Sequence, residues 1–454
     1  MSSIEQLKEI AEKCVRCGIC QSVCPVFTEV NREAAVARGK VSLIRKVLSE
    51  ETGYTPRMST YLLQCLGCGA CTENCPNGVK VDDLVLAMRA LMVEEKGLSL
   101  SKQLILRGFL NSVHVLPMFL KTGSLLQGLL LKKVPKESGL HLRFSLPYLG
   151  KERLIPSLET PFFLDRYPEQ IEAAGENPRN TKDGQSLNQD VAPHGSLDGI
   201  TALRREKKIG LFAGCSINYL FPSIGESTLR LLRKGGFSVI LPKEQACCGL
   251  PAYGSGDLET AKSLALRTIK AFAHSGSIQI LVPCASCFYF LKEGYQKLFP
   301  DDEEVASFTR RIVEPTSFFV EQIVTSQRPE GSPGNRKVRV TYHDPCHLRR
   351  GMKIHQEPRR LLKSLPGVEL VEMKQPSRCC GMAGSFNLIY YDLSKKILKR
   401  KVEDIAGTGA EHVVTSCMGC MIQLKDGLHQ QGLETGVMHP VEVLEKSLVE
   451  ESIK

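Results

Sequence analysis

Tryptophan is absent, and aromatic residues make up only 6% of the 454 residues. No aromatic-interleaved basic platform and no reader motif accompany the formal charge of +10, which sets nucleic acid aside as a partner. Met1–Lys13 mixes Glu and Lys with scattered apolar residues and lacks a continuous hydrophobic region and a cleavage site, so no secretory signal is expected there. The most apolar stretch, Leu104–Leu131, is interrupted by Arg107, His114, Pro117 and Lys121, and leaves no clean span of about 20 apolar residues. A buried helical pair is expected there, with a partner or membrane contact as the alternative. No G-x-G-x-x-G follows a strand, since Gly254-Ser255-Gly256 ends in the wrong residues. Hydride chemistry would therefore need a flavin or nicotinamide carried by another subunit, with no flavin on this chain.

What is abundant is cysteine. Eighteen cysteines, clustered at ligand spacings in a long chain with 42% hydrophobic residues, point to a reducing cytoplasm and metal ligation, not to disulfides. Eight of them form two copies of one run: Cys14, Cys17, Cys20 and Cys24 before Pro25, then Cys65, Cys68, Cys71 and Cys75 before Pro76. This C-x2-C-x2-C-x3-C-P pattern is that of a two-cluster ferredoxin. Three thiolates of one loop grip three corners of a cubane while the fourth reaches its neighbour. Cys14, Cys17, Cys20 and Cys75 are therefore grouped around one 4Fe-4S cluster, and Cys24, Cys65, Cys68 and Cys71 around the other. Gly18, Gly67, Gly69 and Ala70 let the backbone bend closely around them. Structural zinc is the alternative, disfavoured by the extra cysteine in each run and the repeated Cys-Pro.

The other ten cysteines fall into two sets, Cys215, Cys247, Cys248, Cys284, Cys287 and Cys346, Cys379, Cys380, Cys417, Cys420, offset by 131, 132, 132, 133 and 133 residues. That period marks an internal duplication. Around it, strands are expected at 208–213 and 337–342, 237–241 and 368–372, and 278–282 and 412–415. Helices are expected from Ser223 and Glu226, read as a capping box, from Pro358, and over 257–274 and 392–406. Gly235 and Gly367 punctuate the two units. Each half reads as a small βαβ unit presenting five thiols to one crevice, with its CxxC at the C-terminal end of a strand. Gly249 and Gly381 supply the turn that lets adjacent cysteines reach one cluster.

The second half resembles the duplicated cysteine-rich CCG domain of heterodisulfide reductase and of the iron-sulfur subunits of glycolate oxidase and of anaerobic glycerol-3-phosphate and lactate dehydrogenases. The matching residues are Gly214-Cys215, CCGLPAYGSGD at 247–257, CASC at 284–287, HDPCH at 343–347, RCCGMAGSF at 378–386 and CMGC at 417–420. The order of parts, with Ala37-Arg38-Gly39-Lys40 leading into a helix, looks most like the glycolate oxidase iron-sulfur subunit. The resemblance implies a mixed fold: an α-helical ferredoxin domain at 1–100, a helical segment and linker at 101–206, and duplicated α/β CCG domains at 207–328 and 336–450. It also implies two cubane clusters and one or two noncubane 4Fe-4S clusters at the five-cysteine sets.

The expected function is that of an electron-transfer subunit. A partner FAD-dependent dehydrogenase would oxidise a 2-hydroxy acid, glycolate or D-lactate, and this chain would relay the electrons to quinone or another carrier. The alternative is a thiol-disulfide reductase of the heterodisulfide reductase type. His343, Asp344 and His347 are expected to serve caps and loop hydrogen bonds, or else to tune a cluster. Arg349, Arg350 and Arg378 are expected to stabilise reduced clusters or to face solvent. The basic run Lys395, Lys396, Lys399, Arg400, Lys401 is expected to be a solvated helix face, as is the cluster Arg204, Arg205, Lys207, Lys208, the alternative being a docking surface for an acidic partner or an anionic membrane. Gly139–Arg205, and Gly175–Gly199 above all, reads as a surface linker, with Phe162, Phe163 and Tyr167 tacking it onto its own chain. The expected location is cytoplasmic, with peripheral association at the inner membrane as the variant.

Overall fold

The computed structural model of the chain describes residues 4–112, 115–133, 140–142, 153–174, 207–273, 275–324 and 337–448. Gly175–Gly199, Arg204, Arg205 and His274 lie outside the described residues.

The first hundred residues are helical between tight loops. Ile4–Glu12, Ala37–Leu48, Pro56–Leu63 and Val81–Lys96 bury Leu7, Ile44, Leu62, Leu84 and Met88 in one core. Thr55 starts the third of these by accepting from the Met58 amide at 3.2 Å, with Pro56 as its first residue.

Strands appear later. β1 (Leu131–Lys133) and β2 (Leu140–Leu142) form a small antiparallel ribbon. β3 (Gln170–Ile171), β4 (Lys207–Leu211), β5 (Phe237–Ile240), β6 (Gln279–Leu281) and β7 (Ile312–Val313) form a sheet in the order β3-β5-β4-β6-β7, parallel except for β3. β8 (Val338–Tyr342), β9 (Val368–Leu370), β10 (His412–Val414) and β11 (Gly436–Met438) form an all-parallel second sheet in the order β11-β10-β8-β9. Parallel strands need crossovers, and helices supply them: Pro222–Lys234 and Leu258–Ala273 in the first unit, Glu357–Ser364 and Tyr391–Ala406 in the second. Strands covered on both faces read as unbroken buried runs, as all four residues of β5 do.

Several expectations are corrected. Ser223 and Glu226 form no capping box: the helix starts at Pro222, so Ser223 lies inside it, bonding Glu442 at 2.9 Å, while Glu226 pairs with Arg166 at 2.5 Å. The apolar stretch is not a buried helical pair. Leu100, Leu104, Met118, Phe119 and Leu125 along Leu100–Leu110 and Val115–Leu130 are exposed, at 84%, 60%, 65%, 56% and 83%, because among the described residues no second apolar layer covers these side chains. No single described helix is long and apolar enough to cross a membrane. Lys401 is not part of a solvated face; it is fully buried. The linker's Phe162 and Phe163 do tack onto the chain, where Phe162 meets Tyr219 edge-on and Leu164 N donates to Asn218 Oδ1 at 2.8 Å.

One apolar core runs through both sheets. The helical N-terminal part packs against both units. Val26 and Tyr61 pack with Phe386 and Ile397 of the second unit. Buried Arg89 donates to Leu62 O, Cys65 O and, across the boundary, Gly254 O at 2.8 Å. Gly256 lets the first unit come this close, because a Cβ there would lie 2.4 Å from Arg89 O, and its φ of +88° is strained for any other residue. Gly256→Ala is therefore expected to destabilise the chain by about 2–3 kcal/mol. Gly236→Ala, at φ +78° with open space around it, is expected to cost about 1 kcal/mol. Thermal unfolding of the two variants checks this, and equal losses would show that the Arg89 contact is unimportant.

Candidate iron-sulfur sites

The N-terminal thiols gather as the spacing predicts. Cys24, Cys65, Cys68 and Cys71 line one cavity with Lys40. Cys14, Cys17, Cys20 and Cys75 line a second, which Cys71 also borders. Each run thus sends its fourth cysteine across to the other. Backbone amides point at the crossing sulfurs, Phe27 N at Cys24 Sγ and Val79 N at Cys75 Sγ, both 3.4 Å. Burial pushes the Cys24 thiol up to about 11, with Lys40 opposing.

The ten later thiols sit on the loops that leave the C-terminal ends of the parallel strands or, for Cys215, Cys287 and Cys420, in the first turn of the helix that follows. In the first unit Cys215 Sγ lies 3.8 Å from Cys247 Sγ, and hydrogen bonds link Cys247 to Cys248, Cys248 to Cys287 and Cys287 to Cys284. In the second, Cys346 meets Cys379, Cys379 meets Cys380, Cys380 Sγ lies 3.4 Å from Cys420 Sγ, and Cys420 meets Cys417. Gly249 and Gly381, at φ +92° and +88°, make the turns that bring both members of each Cys-Cys pair inward. Hydrogen bonds from Cys247 and Cys287 pull Cys248 down to about 6, and Cys380 and Cys417 are lowered by their thiol neighbours in the same way.

The sets are not isolated. Cys68 of the helical part and Cys379 of the second unit share a side-chain hydrogen bond, and Cys417 shares one with Cys284 of the first unit. Ala285 N donates to Ser416 O at 2.8 Å, tying the two CxxC loops together. A cleft of about 530 Å³ opens beside Cys68 and Cys379, lined by Arg349, Arg350, Arg378, Arg400 and Glu73. Arg350, 10% exposed, donates to Cys68 O, Ser377 O and Glu73. Arg378 borders the same cleft and so belongs to this junction.

Around the second set, Asp344 is a buried structural partner of Arg359 at 2.7 and 3.2 Å. His347 stacks on Tyr289 and meets Ser286 Oγ at 3.2 Å, and that hydroxyl lies 3.0 Å from Cys417 Sγ. His343 is buried, and burial pushes it down to about 3, so the ring is neutral. Sequence reasoning missed Lys40, Lys401 and Arg89. Lys40 closes the Ala37-Arg38-Gly39-Lys40 motif, whose spacing alone gives it no role, whereas Lys401 carries no local signal that separates it from its exposed neighbours.

Sets of adjoining thiols, in which Cys248, Cys380 and Cys417 are held toward the thiolate by neighbours that are themselves pushed up, together with amides aimed at the sulfurs, form a donor set suited to iron-sulfur clusters, and each N-terminal cavity has the four sulfurs that a cubane takes. The comparisons agree. The profile of the Cysteine-rich domain (CCG) matches residues 209–292 and 340–425, and that of the 4Fe-4S dicluster domain matches 10–79. The protein named "Probable glycolate oxidase iron-sulfur subunit" of Bacillus subtilis (strain 168) is 30% identical over 92% of this chain and 89% of its own. One subunit of the CoM/CoB fumarate reductase of Methanothermobacter marburgensis is 28% identical over 95% of this chain and 71% of its own. "Lactate utilization protein A" of Geobacillus sp. (strain WCH70) is 32% identical over 52% of this chain and 98% of its own. With this coverage and these donor sets, the chain belongs to the glycolate oxidase iron-sulfur subunit family of CCG-domain oxidoreductases, as an electron-transfer subunit.

Proposed function

We propose that the chain relays electrons from a partner flavoprotein, which oxidises a 2-hydroxy acid such as glycolate or D-lactate, to quinone or another carrier. The observation that carries this reading is continuity: four thiol sets follow one another through Cys71 beside the Cys75 cavity, Cys68 against Cys379, and Cys417 against Cys284. Bound clusters, two cubanes and one or two noncubane centres, would supply the one-electron steps. The protein's own residues set the order of the sets, shield most of the later thiols from water and place Lys40 and Arg350 beside the second cubane site. The two sheets are read as one duplicated βαβ unit, since Gly249 packs on Ala261 O and Gly381 on Ser394 O in matching places. The absence of a dinucleotide motif assigns the flavin to the partner.

A second reading has its own observation. Two complete five-cysteine sets meet at Cys284 and Cys417, which is the arrangement that disulfide chemistry of the heterodisulfide reductase type would use. The exposed apolar face of Leu100–Leu126 is assigned to peripheral contact with the cytoplasmic face of the membrane, where a quinone acceptor would be reached.

Anaerobic purification with associated proteins retained, followed by cluster absorbance on adding glycolate, D-lactate or glycerol-3-phosphate, tests the relay. Bleaching by one hydroxy acid with a flavoprotein present is expected; reduction by dithionite alone would move the assignment to disulfide chemistry. Arg350→Met is expected to lower the midpoint potential of the second cubane by tens of millivolts, since a cation beside Cys68 favours the reduced, more anionic state. Electron paramagnetic resonance during a redox titration reads this shift, and an unchanged midpoint would make Arg350 purely structural. In flotation with vesicles containing anionic lipid, the wild-type chain is expected to rise with the lipid and the Phe119→Glu/Leu125→Glu double variant to remain below. If both remain below, the membrane assignment fails.

A further inference from the structure

The two five-cysteine sets differ in what else the fold brings to them. Phe212 follows β4 and His343 follows β8 in matching places: Phe212 N donates to Leu281 O and His343 N to Val414 O, both at 2.9 Å. Both side chains are 1% exposed. Phe212 adds hydrocarbon to the first unit, with Phe272 at 6.4 Å. At the second unit a ring nitrogen of His343 and the sulfurs of Cys380 and Cys420 all lie within 4.8 Å of one another.

His343 Nδ1 is buried without a hydrogen-bond partner, which an imidazole in a protein interior rarely tolerates. The ring is in hydrogen-bond contact with the Pro376 carbonyl, which also accepts from Lys401 Nζ and Asp344 N. A ring held by a carbonyl, with Nδ1 unpartnered and a ring nitrogen within 4.8 Å of two sulfurs, has the orientation usual for a ligating histidine. The other histidines near these loops are engaged differently: His439 uses Nε2 on Pro283 O and Nδ1 on Val441 N, and His347 Nδ1 meets Ser286 Oγ.

We propose that His343 is a nitrogen donor to the metal centre of the second five-cysteine set, and that the first set, with Phe212 in the matching place, holds an all-sulfur centre. This rests on the reading that the five-cysteine sets hold metal. The two sites are then different in kind. His343 takes the place of one of the five thiolates there, so the second centre carries one negative charge fewer than the first and is the easier to reduce of the two. Its position between the second cubane site and the first five-cysteine set makes it the step at which electrons pause.

The test uses the full chain, prepared anaerobically with its own clusters and labelled with ring-15N histidine. Pulsed electron paramagnetic resonance is expected to show a nitrogen coupling on one centre that changes with the label. His343→Phe, which installs the residue of the matching site, should abolish that coupling and lower the midpoint of that centre alone. His343→Cys should abolish the coupling while keeping the iron content, which covers the case in which the Phe variant fails to fold. With iron above what two 4Fe-4S clusters hold, absence of a label-sensitive coupling, or its persistence in both variants, overturns the proposal and leaves the site reading intact. Iron limited to two clusters would overturn both.

Discussion

Anionic sulfur buried in protein must be met by positive charge, by amides or by metal, and much of this structure follows from that constraint. The ten later thiols are carried on loops at the ends of parallel strands, where helix-covered sheets leave a crevice but little water. The eight earlier ones lie in helix-linked loops whose amides turn toward the sulfurs. Cations are placed sparingly where sets adjoin, Lys40 at the second cubane site and Arg350 between Cys68 and the second unit. The apolar core that runs through both sheets is thus also the insulation of the electron path.

Much of this was legible in the chain. The near-132-residue offset between cysteine sets located both sheets, and the expected strands fall within about two residues of β4, β5, β6, β8, β9 and β10, because buried parallel strands leave short apolar runs bounded by glycine and proline. The crossing of Cys24 and Cys75 between the two cavities was readable because the spacing sets the fourth cysteine of each run apart from the first three. The rest depends on tertiary contact. Lys401 lies in a basic run whose other members resemble it, and only the fold shows that its ammonium is turned inward to Gln375 and Pro376 carbonyls. β3 is two residues long and owes its existence to an available edge on β5. Ser223 and Glu226 have the spacing of a cap, but Pro222 claims the first helical turn and both side chains find partners elsewhere in the chain.

The joining of the parts is as informative as the parts. Arg89 satisfies two carbonyls of the segment that leads into Cys65 and one of the first sheet unit, so the helical domain and that unit share a buried cation that neither could desert cheaply. The tie between Ala285 and Ser416 does the same for the two CxxC loops. Distances between sets are therefore fixed by packed protein and do not depend on a linker.

The burial of the cysteines is graded along the chain. Cys17 is exposed, the remaining N-terminal ones are half-buried, and seven of the ten on the sheets are buried. Oxygen, peroxide and chelators will meet this molecule from one side first. Attack would reach the cavity of Cys14, Cys17, Cys20 and Cys75 before the deeper thiol sets. The same gradient that protects the interior leaves the first cysteine loop the part most open to attack.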